Sequence, residues 1–117
     1  MNRKPFFGVI PPTLTLFTEH GEVDEQAQRK FLEFLIEKGV HAFFAGGTYG
    51  AGVLMTAEQR KKLLKLTMDQ TRGRIPVIAH VGAIDTNTAV ELAQYAESIG
   101  ADAVAAIPPF FFNHTER

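Results

Sequence analysis

The residues best suited to chemistry lie in one stretch, Gly46-Gly47-Thr48-Tyr49-Gly50-Ala51-Gly52, which holds an alcohol and a phenol among four glycines. Glycine lets a backbone turn sharply and approach a ligand closely. Successive backbone N–H groups in such a turn, with the Thr48 hydroxyl, can hold a carboxylate or a phosphate. A tight turn after a strand accounts for the same glycines, and spacing leaves both readings open. Two phosphate motifs are excluded. The Gly-Lys-Ser/Thr ending of a P-loop is missing, and glycines at 46, 47, 50 and 52 do not fit Gly-x-Gly-x-x-Gly.

Other reactive side chains are sparse. His20, His41, His80 and His114 form no pair at metal-ligand spacing. His80 falls late in an apolar run and can reach the end of a strand, while His20 sits in a solvated Glu-His-Gly turn. The lysines are Lys4 in the tail and Lys30, Lys38, Lys61, Lys62 and Lys65 at helical positions. There they are expected to be solvated, with ordinary pKa values, and a lysine nucleophile needs the opposite environment. Glu58, Asp69, Glu91 and Glu97 read as solvated helix faces. The run Pro108-Pro109-Phe110-Phe111-Phe112 reads as an apolar lid, an oligomer contact or plain core filling.

These residues need elements to position them. One helix opens at the N-cap Asp24 and closes at Gly39, with Phe31, Leu32, Leu35 and Ile36 at helical spacing. A second opens at Thr56-Ala57-Glu58-Gln59, a capping box, and ends at Gly73. A third runs from about Asp85 to Gly100. A short apolar run follows each closing glycine: Val40 to Ala45, Ile75 to Val81, and Ala103 to Ile107. A fourth, Phe6 to Ile10, precedes the first helix. Runs that alternate poorly suit strands buried on both faces. The pattern β-α-β-α-β-α-β implies a parallel α/β sheet, open and doubly wound or closed as a barrel. Either closure puts the site at the C-terminal ends of the strands, on the loops Pro11–Val23, Gly46–Met55, Gly82–Asp85 and Pro108–His114. Asn113 to Arg117 reads as the opening of a further helix, so the chain is expected to be a fragment of a larger domain.

Composition narrows the class. A net charge of -1 over 117 residues offers no nucleic-acid patch, and the absence of Cys removes disulfides and thiolate chemistry. No stretch of 18 apolar residues is present, so no membrane span is expected, and a cytoplasmic location is the default.

At the glycine loop the residues become those of a family. Gly47-Thr48-Tyr49-Gly50, followed by Leu54-Met55-Thr56-Ala57-Glu58-Gln59-Arg60, resembles the Gly-Thr-Thr-Gly-Glu…Leu-Thr-x-Glu-Glu signature of the dihydrodipicolinate synthase / N-acetylneuraminate lyase family. Gly8 to Pro12 with Phe17, Gly21 and Asp24, then Gly73 to Ala79, then Pro109 to Asn113, resemble further segments of that family in the same order. The resemblance implies a (β/α)8 TIM-barrel fold, with residues 1–117 as its first half: about four parallel strands and three helices. It implies class I aldolase chemistry, in which a barrel lysine forms a Schiff base with pyruvate or another 2-keto acid and a carbon–carbon bond is made or broken. The family's Gly-Thr-Thr loop binds the keto-acid carboxylate and joins a proton relay with two tyrosines.

The resemblance therefore makes Gly47, Thr48 and Tyr49 substrate-binding, Tyr49 the candidate for a proton relay, and Pro11, Phe111 and Phe112 site-lining. It calls for no metal and no cofactor. The expected partners are a small 2-keto acid and further copies of the chain, with no nucleic acid and no membrane. Three departures stand out. The family's Schiff-base lysine and strand-five tyrosine belong to positions after Arg117, so the chain alone is expected to be inactive. Tyr49 replaces the second threonine, and Ala51 the usual acid. Phe110 to Phe112 lack the hydroxyl of the family's Pro-Tyr-Tyr segment. The alternatives are a non-catalytic half-barrel that self-associates or binds a partner, and an open flavodoxin-like phosphate-binding module. A half-barrel is also expected to leave Val9, Phe43, Val77, Ile78 and Val104 uncovered.

Overall fold

The structure, a computed structural model, describes residues 4–110. Three helices alternate with three short strands: α1 (Glu25–Glu37), β1 (Phe43–Ala45), α2 (Ala57–Thr71), β2 (Val77–His80), α3 (Thr86–Ser98) and β3 (Ala103–Ala105). Each helix starts where its sequence places a cap. The Asp24 carboxylate accepts from the Ala27 N–H at 3.0 Å, and the Asp85 carboxylate from the Thr88 N–H at 2.7 Å. The Thr56 hydroxyl and the Gln59 side chain accept from each other's backbone at 3.1 and 3.0 Å, completing the capping box. Gly39 and Gly100, at φ +86° and +82°, take the left-handed conformation just past α1 and α3.

The strands form one parallel sheet in the order β1-β2-β3, with Phe44 opposite Ile78 and Ala79 opposite Val104. Leu32, Leu64, Leu66 and Leu92 of the helices bury Phe43, Val77 and Ala79 on one face. This corrects the expectation that Phe43 and Val77 are left uncovered: both face the helices and are at most 1% exposed. Val9 and Val104 are exposed as expected, at 61% and 52%. Val104 shares the helix-facing side with Ala79, but no described helix covers it.

The first expected strand, Phe6 to Ile10, is the main difference. The chain there bends at Gly8, at φ +69°, and joins β1 only through a bridge from Pro12 to Phe44. The His41 N–H donates to the Val9 carbonyl, Phe44 to Pro11, and Thr13 to Phe44, at 2.8–3.1 Å. Pro11 and Pro12 have no N–H to give, so the segment cannot build a continuous ladder. Among the described residues, no helix is long and apolar enough to cross a membrane.

Glu33 of α1 joins α2 to its following turn. Its carboxylate accepts from Arg74 at 2.8 and 2.7 Å and from Gln70 at 2.8 Å. The Arg74 bonds, then that of Gln70, lower its pKa from 4.5 to about 2. A depressed carboxyl contributes stability above its unfolded pKa and loses it on acidification. The melting temperature should therefore fall as pH drops from about 4.5 towards 2. Glu33→Gln should be less stable at pH 7 and flatter across that window in thermal melts; an unchanged slope would remove Glu33 from the acid response.

Candidate active site

Four chain segments meet where the strands end. The loop after β1 folds on itself: the Ala51 N–H donates to the Thr48 carbonyl and the Gly52 N–H to the Gly47 carbonyl, both at 3.0 Å. A single 3-10 turn, Gly52–Leu54, leads into α2. The glycines serve this self-contact. A Cβ on Gly52 would meet the Gly46 carbonyl oxygen at 1.9 Å, and one on Gly50 would meet the Thr13 carbonyl oxygen at 2.8 Å. Among the described residues, the N–H groups of Thr48, Tyr49 and Gly50 find no backbone or side-chain acceptor. Thr48 and Tyr49 are exposed, Tyr49 by 74%.

The loop is held from beneath by residues that sequence reasoning passed over. The Thr15 hydroxyl donates to the Gly50 carbonyl at 2.5 Å. Gln28, fully buried in α1, fixes the chain on either side of Thr15. Its amide nitrogen donates to the Leu14 carbonyl at 2.9 Å and its oxygen accepts from the Leu16 N–H at 2.8 Å. A glutamine one turn before Leu32, on the apolar face of the helix, was the available signal. Pro11 is half-buried beside β1, where its carbonyl accepts from Phe44. Phe110 is half-buried, whereas Phe111 and Phe112 lie outside the described residues.

Arg60 was also missed, because it reads as one more cation on a polar helix. It is buried. Its two terminal nitrogens donate to the carbonyls of Gly82 and His80, each at 2.8 Å. Burial lowers its pKa, and its Nε finds no partner among the described residues. His80 is buried at the end of β2, its ring 5.9 Å from that of Phe44. Burial and then the Arg60 charge push its pKa down, partly offset by a hydrogen bond to the Gly46 backbone.

No described lysine suits Schiff-base chemistry, and Lys61 differs from the expectation of a solvated group. Its side chain is 21% exposed. Its ammonium is bonded to Glu91 and Glu58 and lies 5.7 Å from the Tyr95 ring centroid. Glu91 chiefly raises its pKa, the opposite of what a nucleophilic amine requires. Lys62 pairs with Glu25 at 3.3 Å and Lys65 with Asp69 at 2.5 Å.

Three parallel strands alternating with helices, with a glycine-rich loop at the end of β1, fit part of a (β/α)8 barrel. Comparison with known proteins agrees: the sequence profile of the dihydrodipicolinate synthetase family matches residues 5–117, and the chain belongs to that family. It is 40% identical over 114 residues to a protein of Escherichia coli (strain K12) named probable 2-dehydro-3-deoxy-D-pentonate aldolase, covering 97% of this chain and 38% of that one. It is 36% identical over 117 residues to N-acetylneuraminate lyase of Mus musculus, covering 98% and 37%. The crystal structure of YagE, an E. coli K12 prophage protein of the dihydrodipicolinic acid synthase family in complex with pyruvate, superposes with a TM-score of 0.90. That match has 32% identity and covers 94% of this chain and 37% of that one. The chain thus spans a little over a third of the length of these relatives.

The loop geometry separates two kinds of glycine. Gly52→Ala drives a Cβ into backbone, and should cost about 3 kcal/mol. Gly21→Ala, at φ +77° with nothing within 4 Å, should cost only about 1 kcal/mol, the left-handed penalty alone. Urea unfolding of both variants checks this; equal costs would mean that the loop opens freely.

Proposed function

We propose that residues 1–117 are the N-terminal part of a class I aldolase or lyase barrel acting on pyruvate or another 2-keto acid, in the cytoplasm. The observation that carries this reading is the row of N–H groups at Thr48, Tyr49 and Gly50, free among the described residues, beside the Thr48 hydroxyl, at the mouth of β1. Donors held in a row by a self-bonded loop suit a carboxylate without reorganisation. Thr48 supplies a hydroxyl and an N–H to the carboxylate. Tyr49 supplies the phenol of a proton relay, in place of the hydroxyl that Phe110 to Phe112 cannot provide. Gly47, whose missing Cβ leaves room for the Phe44 ring, lets the chain turn at the bound acid, and Pro11 lines the seat. The Schiff-base lysine comes from a later part of the barrel, since no described lysine is positioned or tuned for that step.

Titration of the ¹⁵N-labelled chain with pyruvate should shift the amides of Thr48, Tyr49 and Gly50 ahead of others. Borohydride reduction with pyruvate should leave the intact mass unchanged. Shifts elsewhere would sink the carboxylate seat, and a stoichiometric adduct would show a nucleophile within this chain. In a whole barrel carrying this segment, Tyr49→Phe should lower kcat by roughly a hundredfold or more, with the Schiff base still forming; an unchanged kcat would return Tyr49 to packing.

The exposed side of β3 favours a second reading for the isolated chain, a half-barrel that self-associates without turnover. Among the described residues β3 pairs only with β2, and Val104 and Ile107 are exposed by 52% and 42%. An unpaired parallel edge is a template for another chain. Sedimentation should then show dimers or larger species, and a strictly monomeric chain would count against it.

A further inference from the structure

His80 is buried, lies beneath the loop read above as the keto-acid seat, and takes no part in the chemistry proposed for it. Its neighbours come from three directions. The Arg60 Nη2 of α2 lies 3.4 Å from Nδ1. The Ile107 N–H, just past β3, points at Nε2 from 3.3 Å. The Gly46 carbonyl, where the loop leaves β1, accepts from the ring, a bond that favours the protonated form. The ring therefore faces one acceptor, the Gly46 carbonyl, and two donors, Arg60 and the Ile107 N–H. A neutral imidazole can accept at one ring nitrogen, and an imidazolium at neither. Protonation would also place a second cation beside the buried guanidinium, where repulsion is poorly screened.

We propose that His80 is a positioning residue: its neutral ring donates to the Gly46–Gly52 loop and accepts from the chain leaving β3, tying both to the end of β2, and its protonation keeps the first bond and releases the second. The other groups facing this place do not supply the switch. Lys61 and Tyr95 line the same small cavity between α2, α3 and the sheet, and Lys61 is committed to Glu91 and Glu58. Asp85 lines the adjacent cleft with Arg60, but its carboxylate caps α3 through Thr88, which lowers its pKa. Phe44 and the segment around Thr13 bring no ionisable group. Among the described residues, no carboxylate pairs with Arg60 to offset a charge on the ring.

The structural claim does not depend on which acid the loop binds; only its consequence for binding rests on the proposed function. The test follows the His80 ring nitrogens by ¹⁵N NMR from pH 8 to 4.5, together with amide exchange protection at Ile107, Ala51 and Gly52. The ring should titrate below 6.5. As it does, protection at Ile107 should fall by about tenfold, the worth of one hydrogen bond, while that at Ala51 and Gly52 should hold. In His80→Asn, which keeps a donor and an acceptor but does not titrate, that fall should vanish. Ring titration at or above 6.5, or titration that leaves Ile107 unmoved or loosens all three amides alike, would overturn the proposal; both are read on the unmodified chain, even if the variant does not fold. A pyruvate titration forms a separate arm. If pyruvate leaves the loop amides unshifted while the pH response persists, the keto-acid reading fails and the positioning role stands.

Discussion

The mouth of this half-barrel depends on a buried guanidinium. Where a strand ends, its carbonyls still need donors although the neighbouring strand no longer supplies them, and in a buried setting each unmet group costs roughly 1–3 kcal/mol. Arg60 reaches from α2 to satisfy two such carbonyls, those of His80 and Gly82. Its planar fork suits paired acceptors in a way an ammonium does not. The cost is a charge out of water with no carboxylate beside it among the described residues, and the carbonyl dipoles are what make that tolerable. Because α2 is joined to β1 through the glycine loop, anchoring Arg60 on β2 also fixes where that loop closes.

The loop has a second support from the opposite side. Gln28 of α1 clamps Leu14 and Leu16, and Thr15 between them bonds Gly50. Two helices thus meet at one turn by separate polar routes. The result is a rigid turn whose Thr48 and Tyr49 remain open to solvent, the arrangement a preorganised binding loop requires. The same rigidity explains the glycines: they are needed where the chain touches itself, at Gly50 and Gly52, before any ligand is considered.

Membership in the dihydrodipicolinate synthetase family sets this architecture in context without setting the chemistry. The relatives include an N-acetylneuraminate lyase and a protein named as a pentonate aldolase, so one scaffold carries different substrates, and function lies in the grafted site. In this chain the distinguishing marks are Tyr49, Ala51 and the phenylalanine run. Ala51 takes a left-handed φ of 57°, a conformation that costs a non-glycine residue about 1–2 kcal/mol, and it does so in the turn that presents Tyr49.

Local information was enough for the helices, because a cap is a contact between residues three apart: Asp24 with Ala27, Thr56 with Gln59, Asp85 with Thr88. The parallel α/β order and the candidate loop followed from periodicity and glycine spacing, for the same short-range reason. The first strand did not follow, because hydropathy cannot register that Pro11 and Pro12 lack the N–H groups a ladder needs. The fate of Phe43 and Val77 was also decided only in three dimensions. Which face of a short apolar run meets the helices depends on register with a neighbouring strand more than thirty residues away. Gln28 and Arg60, and the partners of His80 though not its place at a strand end, were hidden for one further reason. Their partners are backbone groups of distant segments, and a backbone carbonyl or N–H has no letter in the sequence to be paired with.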